Sequence, residues 1–459
     1  MLLTDRPLHF TTRVKGGLPR SGPLPATMQT LGCRWLPYAY MRYARELIGS
    51  RFTVYPLYMP PLVFLTDPEE IRAVLTAPAS ELHPGAGSKI LTPLIGERSF
   101  MLLEEDEHHQ SRRAITPAFH RKMIAEHTAV LRDMVEREVA AWPVDRPIRL
   151  HPRIRALTLR VILRIIFGTQ EDDILERLHT QLIDTFSVST SFTLQQPNLR
   201  YAPGWRGTWK TFIEDRGVAD TLIHTLFARR RAERRGKPQD LLDMLLNARG
   251  VNGSPMPDNE IRDNVMSMVL AGHETTTGEL TWAFQLLAHN QSVQDRLINE
   301  IDHGTAEDYL TATVHETLRH KPVFLFAIPR EVTGPTTIGG VTYRPPVHLA
   351  ACTYLMHHDP ELYKHPDEFH PERFIEGTPP VKTWAPWGGG RKHCLGRHFA
   401  LLEVKTILRD VVATRRVLPA SRRIERPRWR SAILVPHAGG RVVLARRAAR
   451  DGDGAPELG

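Results

Sequence analysis

Trp384-Ala385-Pro386-Trp387-Gly388-Gly389-Gly390-Arg391-Lys392-His393-Cys394-Leu395-Gly396 runs without a break into Arg397-His398-Phe399-Ala400-Leu401-Leu402-Glu403-Val404-Lys405. One cysteine stands at the mouth of an amphipathic helix, behind three glycines and a basic cluster. Consecutive glycines let the backbone approach a flat ligand and aim its N–H groups at one sulfur. The positive helix start, those N–H groups and a bound metal would all favour thiolate over thiol. A thiolate held in this way is a haem iron ligand of the kind that pushes electron density towards dioxygen. From these residues alone the alternative is a glycine-rich turn before a helix, with a small buried cysteine in it.

Composition narrows the field. A chain of 459 residues that is 41% hydrophobic can bury a large core. No composition break divides it, so residues 1–459 are expected to form a single domain, with 1–22 and 448–459 loosely ordered. Three scattered cysteines, Cys33, Cys352 and Cys394, fit neither a disulfide framework nor a zinc site, and agree with a reducing compartment. No apolar run approaches the ~20 residues of a membrane helix, so no membrane span and a cytoplasmic location are expected. The basic charge is local. Residues 391–450 hold sixteen Lys and Arg against three acids, an excess larger than the +9 of the whole chain. A uniformly basic nucleic-acid binder would not be built this way. Such a face steers an acidic protein partner instead.

Hydrophobic spacing predicts helices over 120–142, 153–167, 209–235 and 239–248, and a helix opening at Asp67-Pro68-Glu69-Glu70. The first forty residues, rich in Pro and Gly, read as irregular. Short alternating stretches at 52–55 and 62–65 read as strands, and 432–444 as a hairpin with a Gly439-Gly440 turn. The chain is thus mainly α with a minor β part. Between Asp258 and Asn290 an acidic start and an Asn stop bracket a helix of roughly 50 Å, long enough to cross a domain. Its middle is Ala271-Gly272-His273-Glu274-Thr275-Thr276-Thr277-Gly278, a run of poor helix formers that points to a need for space or hydroxyls. Further on, Glu316-Thr317-Leu318-Arg319 puts an acid and a guanidinium on one helix face. The neighbouring pair His315 and His320 are five apart, do not share a face, and so are not a zinc motif.

In this order the segments resemble the cytochrome P450 family. Gly388, Gly390, Cys394 and Gly396 match its haem-binding signature. Trp387 stands where the family usually has Phe, and Lys392 where it usually has Arg. The resemblance implies that fold, with the long central helix over the haem, heme b as cofactor, and Cys394 as the axial metal ligand. Trp387 would pack beside the sulfur, and its indole N–H would donate to the thiolate. In the long helix it implies a widened turn. There Ala271 and Gly272 leave room for dioxygen, Thr275 holds dioxygen and a water, and Glu274 relays protons. His108, Arg112, Arg330 and Lys392 would meet the haem propionates. Glu316, Arg319 and Arg373 would form a buried ionic cluster bracing the cysteine loop.

The implied activity is a haem-thiolate monooxygenase inserting one oxygen atom from dioxygen into an organic substrate. Electrons would come from a separate ferredoxin and ferredoxin reductase. Apolar stretches at 322–328 and 433–436, under a roof at 89–103 and 186–194, point to an apolar small-molecule substrate such as a terpenoid, lipid or polyketide. Two rivals stay open: a haem-thiolate enzyme of oxidative coupling or other non-hydroxylating chemistry, and a non-catalytic haem sensor or carrier.

Overall fold

The computed structural model describes residues 17–57, 59–168, 173–189, 204, 206–233, 238–249, 253–304, 306–375 and 382–447. Most of the expected loosely ordered termini, and residues 190–194 of the expected roof, lie outside them.

The chain opens with helices α1 (Ala26–Trp35), α2 (Pro37–Ile48) and α3 (Pro68–Thr76). The expectation of irregular structure before residue 40 is corrected here. Pro25 immediately precedes α1 and Pro37 is the first residue of α2. These prolines start helices, the one position where a missing N–H is harmless. Asp67 caps α3 by accepting from the N–H groups of Glu69 and Glu70. Then follow α4 (Thr92–Ile95), α5 (Glu105–Ile115), α6 (Arg121–Ala140), α7 (Leu150–Phe167) and α8 (Asp173–Ser189). Next come α9 (Arg206–Ala232), α10 (Leu241–Leu246), the central α11 (Asp258–His289) and α12 (Gln291–His303). Last are α13 (Asp308–His320), the short α14 (Thr353–His357) and α15 (Arg397–Thr414), which starts three residues after Cys394.

The strands are few. A five-stranded sheet has the order β1 (Arg51–Val54), β2 (Leu62–Leu65), β8 (His348–Ala351), β5 (Arg330–Val332), β3 (Leu82–His83). Only β2 and β8 pair in parallel, with Leu62 opposite His348. A three-stranded sheet joins β4 (Pro147–Arg149), β12 (Arg441–Arg446) and β9 (Arg415–Pro419). Two ribbons pair β6 (Thr336–Ile338) with β7 (Val341–Tyr343), and β10 (Pro427–Arg430) with β11 (Ile433–Pro436).

The hairpin expected over 432–444 does not form. Gly439 and Gly440 do turn the chain, with φ of +85° and +65°. The strands on either side of them part company: β11 pairs with β10, and β12 crosses to β4 and β9. Trp282 on α11 holds β11 by donating its indole N–H to the Leu434 carbonyl. Leu150 and His151 donate to the carbonyls of the two glycines from the other side.

The C-terminal part of helix α11 lies in the largest apolar cluster and its N-terminal part in a second, and the helix packs against α7, α13, α15 and β11. That position explains why it is buried around most of its circumference rather than along one stripe. No helix among the described residues is long and apolar enough to cross a membrane.

Candidate active site

From Ile261 to Ala288 every residue of α11 is buried except three: Ala271, Gly272 and Thr275. Exposure in the middle of an otherwise enclosed helix marks an internal opening. Ala271 and Thr275 share one face of it, four residues apart. Gly272 is turned towards α7, where a Cβ would meet Ile162 at 3.0 Å. Its lack of a side chain therefore lets the two helices close up.

The helix is α throughout this region, with no widened turn. The hydroxyls of Thr275, Thr276 and Thr277 instead donate back to the carbonyls of Ala271, Gly272 and His273, at 2.7, 2.9 and 2.6 Å. Such bonds spare the Thr275 oxygen as an acceptor towards the opening.

Glu274, beside Thr275, is turned away from water. Arg155 on α7 donates to its Oε1 at 2.9 Å, and Arg430 on β10 to its Oε2 at 3.3 Å. His273 Nε2 lies 3.3 Å from Oε1. Burial pushes this carboxyl up, but His273 and the two guanidiniums outweigh it and hold Glu274 well below the ordinary carboxylate range. Arg155 also donates to Ser187 Oγ (2.9 Å) and the Ile183 carbonyl (3.3 Å), so α8 is tied to the same group. Sequence reasoning missed Arg155 and Arg430. The available signal was an arginine inside the apolar run Ile154-Arg155-Ala156-Leu157, since a buried guanidinium needs an acid.

The cysteine loop is built by its glycines and its cations. Gly388 and Gly390 have φ of +67° and +64°. At Gly390 a Cβ would sit 2.0 Å from the Leu75 carbonyl, so the loop can lie against α3 only without a side chain. Cys394 N–H donates to the Trp387 carbonyl at 3.0 Å, which brings the aromatic residue beside the sulfur-bearing one. Burial pushes the Cys394 thiol up, against the Gly396 N–H and the Arg112 and Arg397 guanidiniums.

The structure brings His108, Arg112, Arg330 and Lys392 to this loop. His108 Nδ1 donates to the Phe100 carbonyl at 2.9 Å, and its Nε2 lies 3.4 Å from the Arg391 carbonyl. Burial and the neighbouring Lys392 charge lower His108 to about 4, so it is neutral. Arg112 donates to the Arg391 carbonyl (3.2 Å) and to His393 (3.1 Å). Arg330 donates to the Leu75 carbonyl at 2.8 Å. Lys392 donates to the Leu103 carbonyl and lies 3.6 Å from Glu104, and burial lowers it to about 8. Among the described residues neither Arg112 nor Arg330 makes an ion pair, and Glu104 acts on Arg330 only at longer range.

Behind the loop, Glu316 accepts from Arg319 Nε and Nη2 at 2.7 and 2.8 Å, from Arg373 at 3.1 Å and from the His370 N–H at 2.8 Å. Arg319 is fully buried and also donates to the carbonyls of His357, Pro366 and Glu368. This cluster clamps α13 to the segment leading into the cysteine loop.

The family model described as Cytochrome P450 matches residues 18–443. The chain belongs to the cytochrome P450 family. Putative cytochrome P450 135B1 of Mycobacterium tuberculosis is 30% identical over 95% of this chain and 92% of its own length. Putative cytochrome P450 137 of the same organism is 33% identical over 86% of this chain and 83% of its own length. The solved structure of retinoic acid-bound cyanobacterial CYP120A1 shares the fold, with a TM-score of 0.79 at 20% identity, covering 94% of this chain and 99% of that one. This P450 is accordingly an oxidoreductase of the monooxygenase class, and haem is its prosthetic group.

The residues present fit a haem. The indole N–H of Trp387 and that of Trp384 are buried and have no partner among the described residues. Nothing lies within 4 Å of a Cβ built on Gly388 or Gly396, so open space adjoins the loop on both sides of Cys394. Two guanidiniums without an ion pair among the described residues, a half-buried thiol and an opening at the middle of α11 complete the set.

Proposed function

We propose that this P450 inserts one oxygen atom from dioxygen into an apolar organic substrate, acting as a single domain over residues 1–459, with heme b bound through Cys394. The opening at Ala271 and Thr275, in a helix otherwise enclosed, is the observation that carries this reading. Bound haem supplies the activation of dioxygen. The chain's own residues do the rest. Arg112, Arg330 and Lys392 neutralise the two propionates, with His108 as a neutral hydrogen-bond partner. Glycines 388, 390 and 396 let the loop lie flat, and Glu316, Arg319 and Arg373 keep it there. Thr275 holds a water by its acceptor oxygen, and Glu274 passes protons inward. A carboxylate kept so strongly ionised does not store a proton; it relays one when its arginines loosen.

The substrate chamber is lined by Pro322–Ile328 and Ile433–Pro436. A Cβ on Gly278, one turn beyond Thr275, would touch Val323, Ile433 and Val435, so these walls meet at α11. They offer no charge, which favours a terpenoid, lipid or polyketide; retinoic acid, held by the cyanobacterial relative, is of this kind. Exposed Arg113, Arg391 and Arg397 surround the cysteine loop and favour an acidic ferredoxin, itself served by a ferredoxin reductase, in the cytoplasm.

The test has two parts. The purified protein, reduced under carbon monoxide, should give the red-shifted band of thiolate ligation, and Cys394→Ser should lose it. A wild-type spectrum of histidine-ligated type would refute the ligand. Reduction by a ferredoxin should slow steeply with salt, and Arg391→Glu with Arg397→Glu should slow it further without changing the haem spectrum. Salt-independent reduction would refute the docking face.

A further inference from the structure

The opening on α11 ends at an acid that the chemistry proposed above does not use. Ala271, Thr275 and Glu279 follow one another at intervals of four residues, so all three fall within an arc of about 80° on one side of the helix. Ala271 and Thr275 border the opening, and Glu279 is 4% exposed. Both of its carboxyl oxygens are buried without a hydrogen-bond partner among the described residues. Burial raises it well above the ordinary carboxylate range, and no arginine, lysine or histidine acts against that. The group is therefore a neutral carboxylic acid.

Its surroundings are those of the substrate chamber. A Cβ on the neighbouring Gly278 would touch Val323, Ile433 and Val435. Trp282, three residues beyond Glu279, belongs to one apolar cluster with the same three side chains. Tyr38 on α2 donates to the Pro322 carbonyl at 3.4 Å, and burial, Tyr354 and Glu279 all raise that phenol. Glu279 thus lies where the wall beginning at Pro322 approaches the helix.

A buried hydrogen-bonding group left unsatisfied costs the fold free energy, and an apolar side chain of similar length would not. Haem does not supply the missing partner. Its polar groups are the propionates, and the cations gathered for them do not act on Glu279. A protonated carboxyl offers one O–H to donate and one carbonyl oxygen to accept. A substrate hydroxyl matches both. A cationic substrate would have to ionise the acid and bring two charges into an apolar chamber.

We propose that Glu279, as a neutral acid, anchors the substrate by a hydroxyl group, so that this P450 takes an apolar molecule already carrying an alcohol. The anchor lies about 6 Å along the helix from Thr275, so the carbon oxidised is remote from the carbon that bears the hydroxyl. It rests on the function proposed above and narrows its substrate class.

Spectral-shift titrations of the holoprotein test it, with dodecan-1-ol, menthol and androstan-3-ol as probes, each beside its parent alkane. At least one alcohol should bind about tenfold or more tighter than its alkane. Glu279→Met should erase that difference, and Glu279→Gln, which keeps a donor and an acceptor, should retain most of it. Ligand-free Glu279→Met should unfold at a higher urea concentration than wild type, since it loses an unsatisfied group. Alcohols that bind no better than alkanes, or no binding by any of the six, would overturn the proposal. So would a preference that survives Glu279→Met. A less stable Glu279→Met protein would show that the carboxyl has a structural partner such as a buried water, and would also overturn it. Tighter binding of dodecyltrimethylammonium than of dodecan-1-ol would do the same, because the acid would then be ionised. Wild type without the carbon monoxide band of thiolate ligation would refute the function above and the anchor with it; a normal band without alcohol preference refutes the anchor alone.

Discussion

Gly390→Ala and Gly388→Ala should differ in a way only the structure explains. Both glycines lie in the left-handed region, at φ of +64° and +67°. An alanine in that region costs roughly 1–2 kcal/mol at either position. At Gly388 nothing else follows, because no atom lies within 4 Å of the new Cβ. At Gly390 the Cβ would arrive 2.0 Å from the Leu75 carbonyl and 3.3 Å from Thr76 Cα. Backbone cannot step aside as a side chain tip does. The Leu75 carbonyl is moreover the acceptor of Arg330 at 2.8 Å, so moving it removes a buried charge-assisted hydrogen bond of about 1.5–3 kcal/mol. The expected loss is therefore about 3–5 kcal/mol for Gly390→Ala against about 1–2 for Gly388→Ala. Urea unfolding followed by circular dichroism measures the difference. The haem-to-protein absorbance ratio should fall in the Gly390 variant alone. Equal stability losses, or full haem content in both, would refute the packing of the loop on α3.

Three further outcomes follow from the same geometry. The Trp387 indole N–H is buried without a partner among the described residues, and in the haem-bound protein it is expected to donate to the thiolate; Trp387→Phe should then lower the reduction potential by about 40 mV, the equivalent of one hydrogen bond of about 1 kcal/mol, and a redox titration that finds no shift would refute that donation. Arg155→Leu should destabilise the protein by about 3–5 kcal/mol, since it breaks a buried pair. Glu274, depressed in the fold, contributes stability that is complete above the ordinary carboxylate range and is lost progressively as pH falls from there to well below it; in Arg155→Leu that loss should be smaller and end at higher pH in acid titrations of unfolding. Glu316→Gln should weaken the bonds to Arg319 and Arg373 and cost about 3–5 kcal/mol with partial haem loss; wild-type stability would show that the cluster does not brace the loop.

What could be read in the sequence was local. The bounds of α11 followed from an acidic start and an Asn stop, and the cysteine loop from glycines whose positive φ leaves few other residues possible. Glu316 and Arg319 sit three apart on one helix, so their meeting needed no tertiary information. What escaped was long-range. Glu274 meets Arg155 and Arg430 across 119 and 156 residues. The Gly439-Gly440 turn was visible, but the divergence of its strands depends on Trp282 gripping Leu434 from another element. Helix α1 escaped for a different reason, because prolines at its start and at that of α2 read as breakers when composition is taken without position.

The acids around the middle of α11 show how one neighbourhood sustains two protonation states. Glu274 is ionised because Arg155, Arg430 and His273 reach it. Glu279, five residues on and fully buried, has no partner for either oxygen among the described residues, and burial alone raises it well above the ordinary range. Glu403, entering from α15, is likewise raised by burial, with only the Thr276 hydroxyl opposing. Burial is similar for all three, so the difference lies in His273 and the two guanidiniums. His273 and the arginines lower one carboxyl while burial raises its neighbours, which sets groups of opposite proton affinity within a few turns of Thr275. Arg155 is bonded to α8 as well as to Glu274, so a shift of α8 would act on Glu274 through that arginine and would not reach Glu279 or Glu403 by this route. A pH–rate profile that moves with Arg155 variants, while Glu279→Gln leaves it in place, is the outcome this division requires.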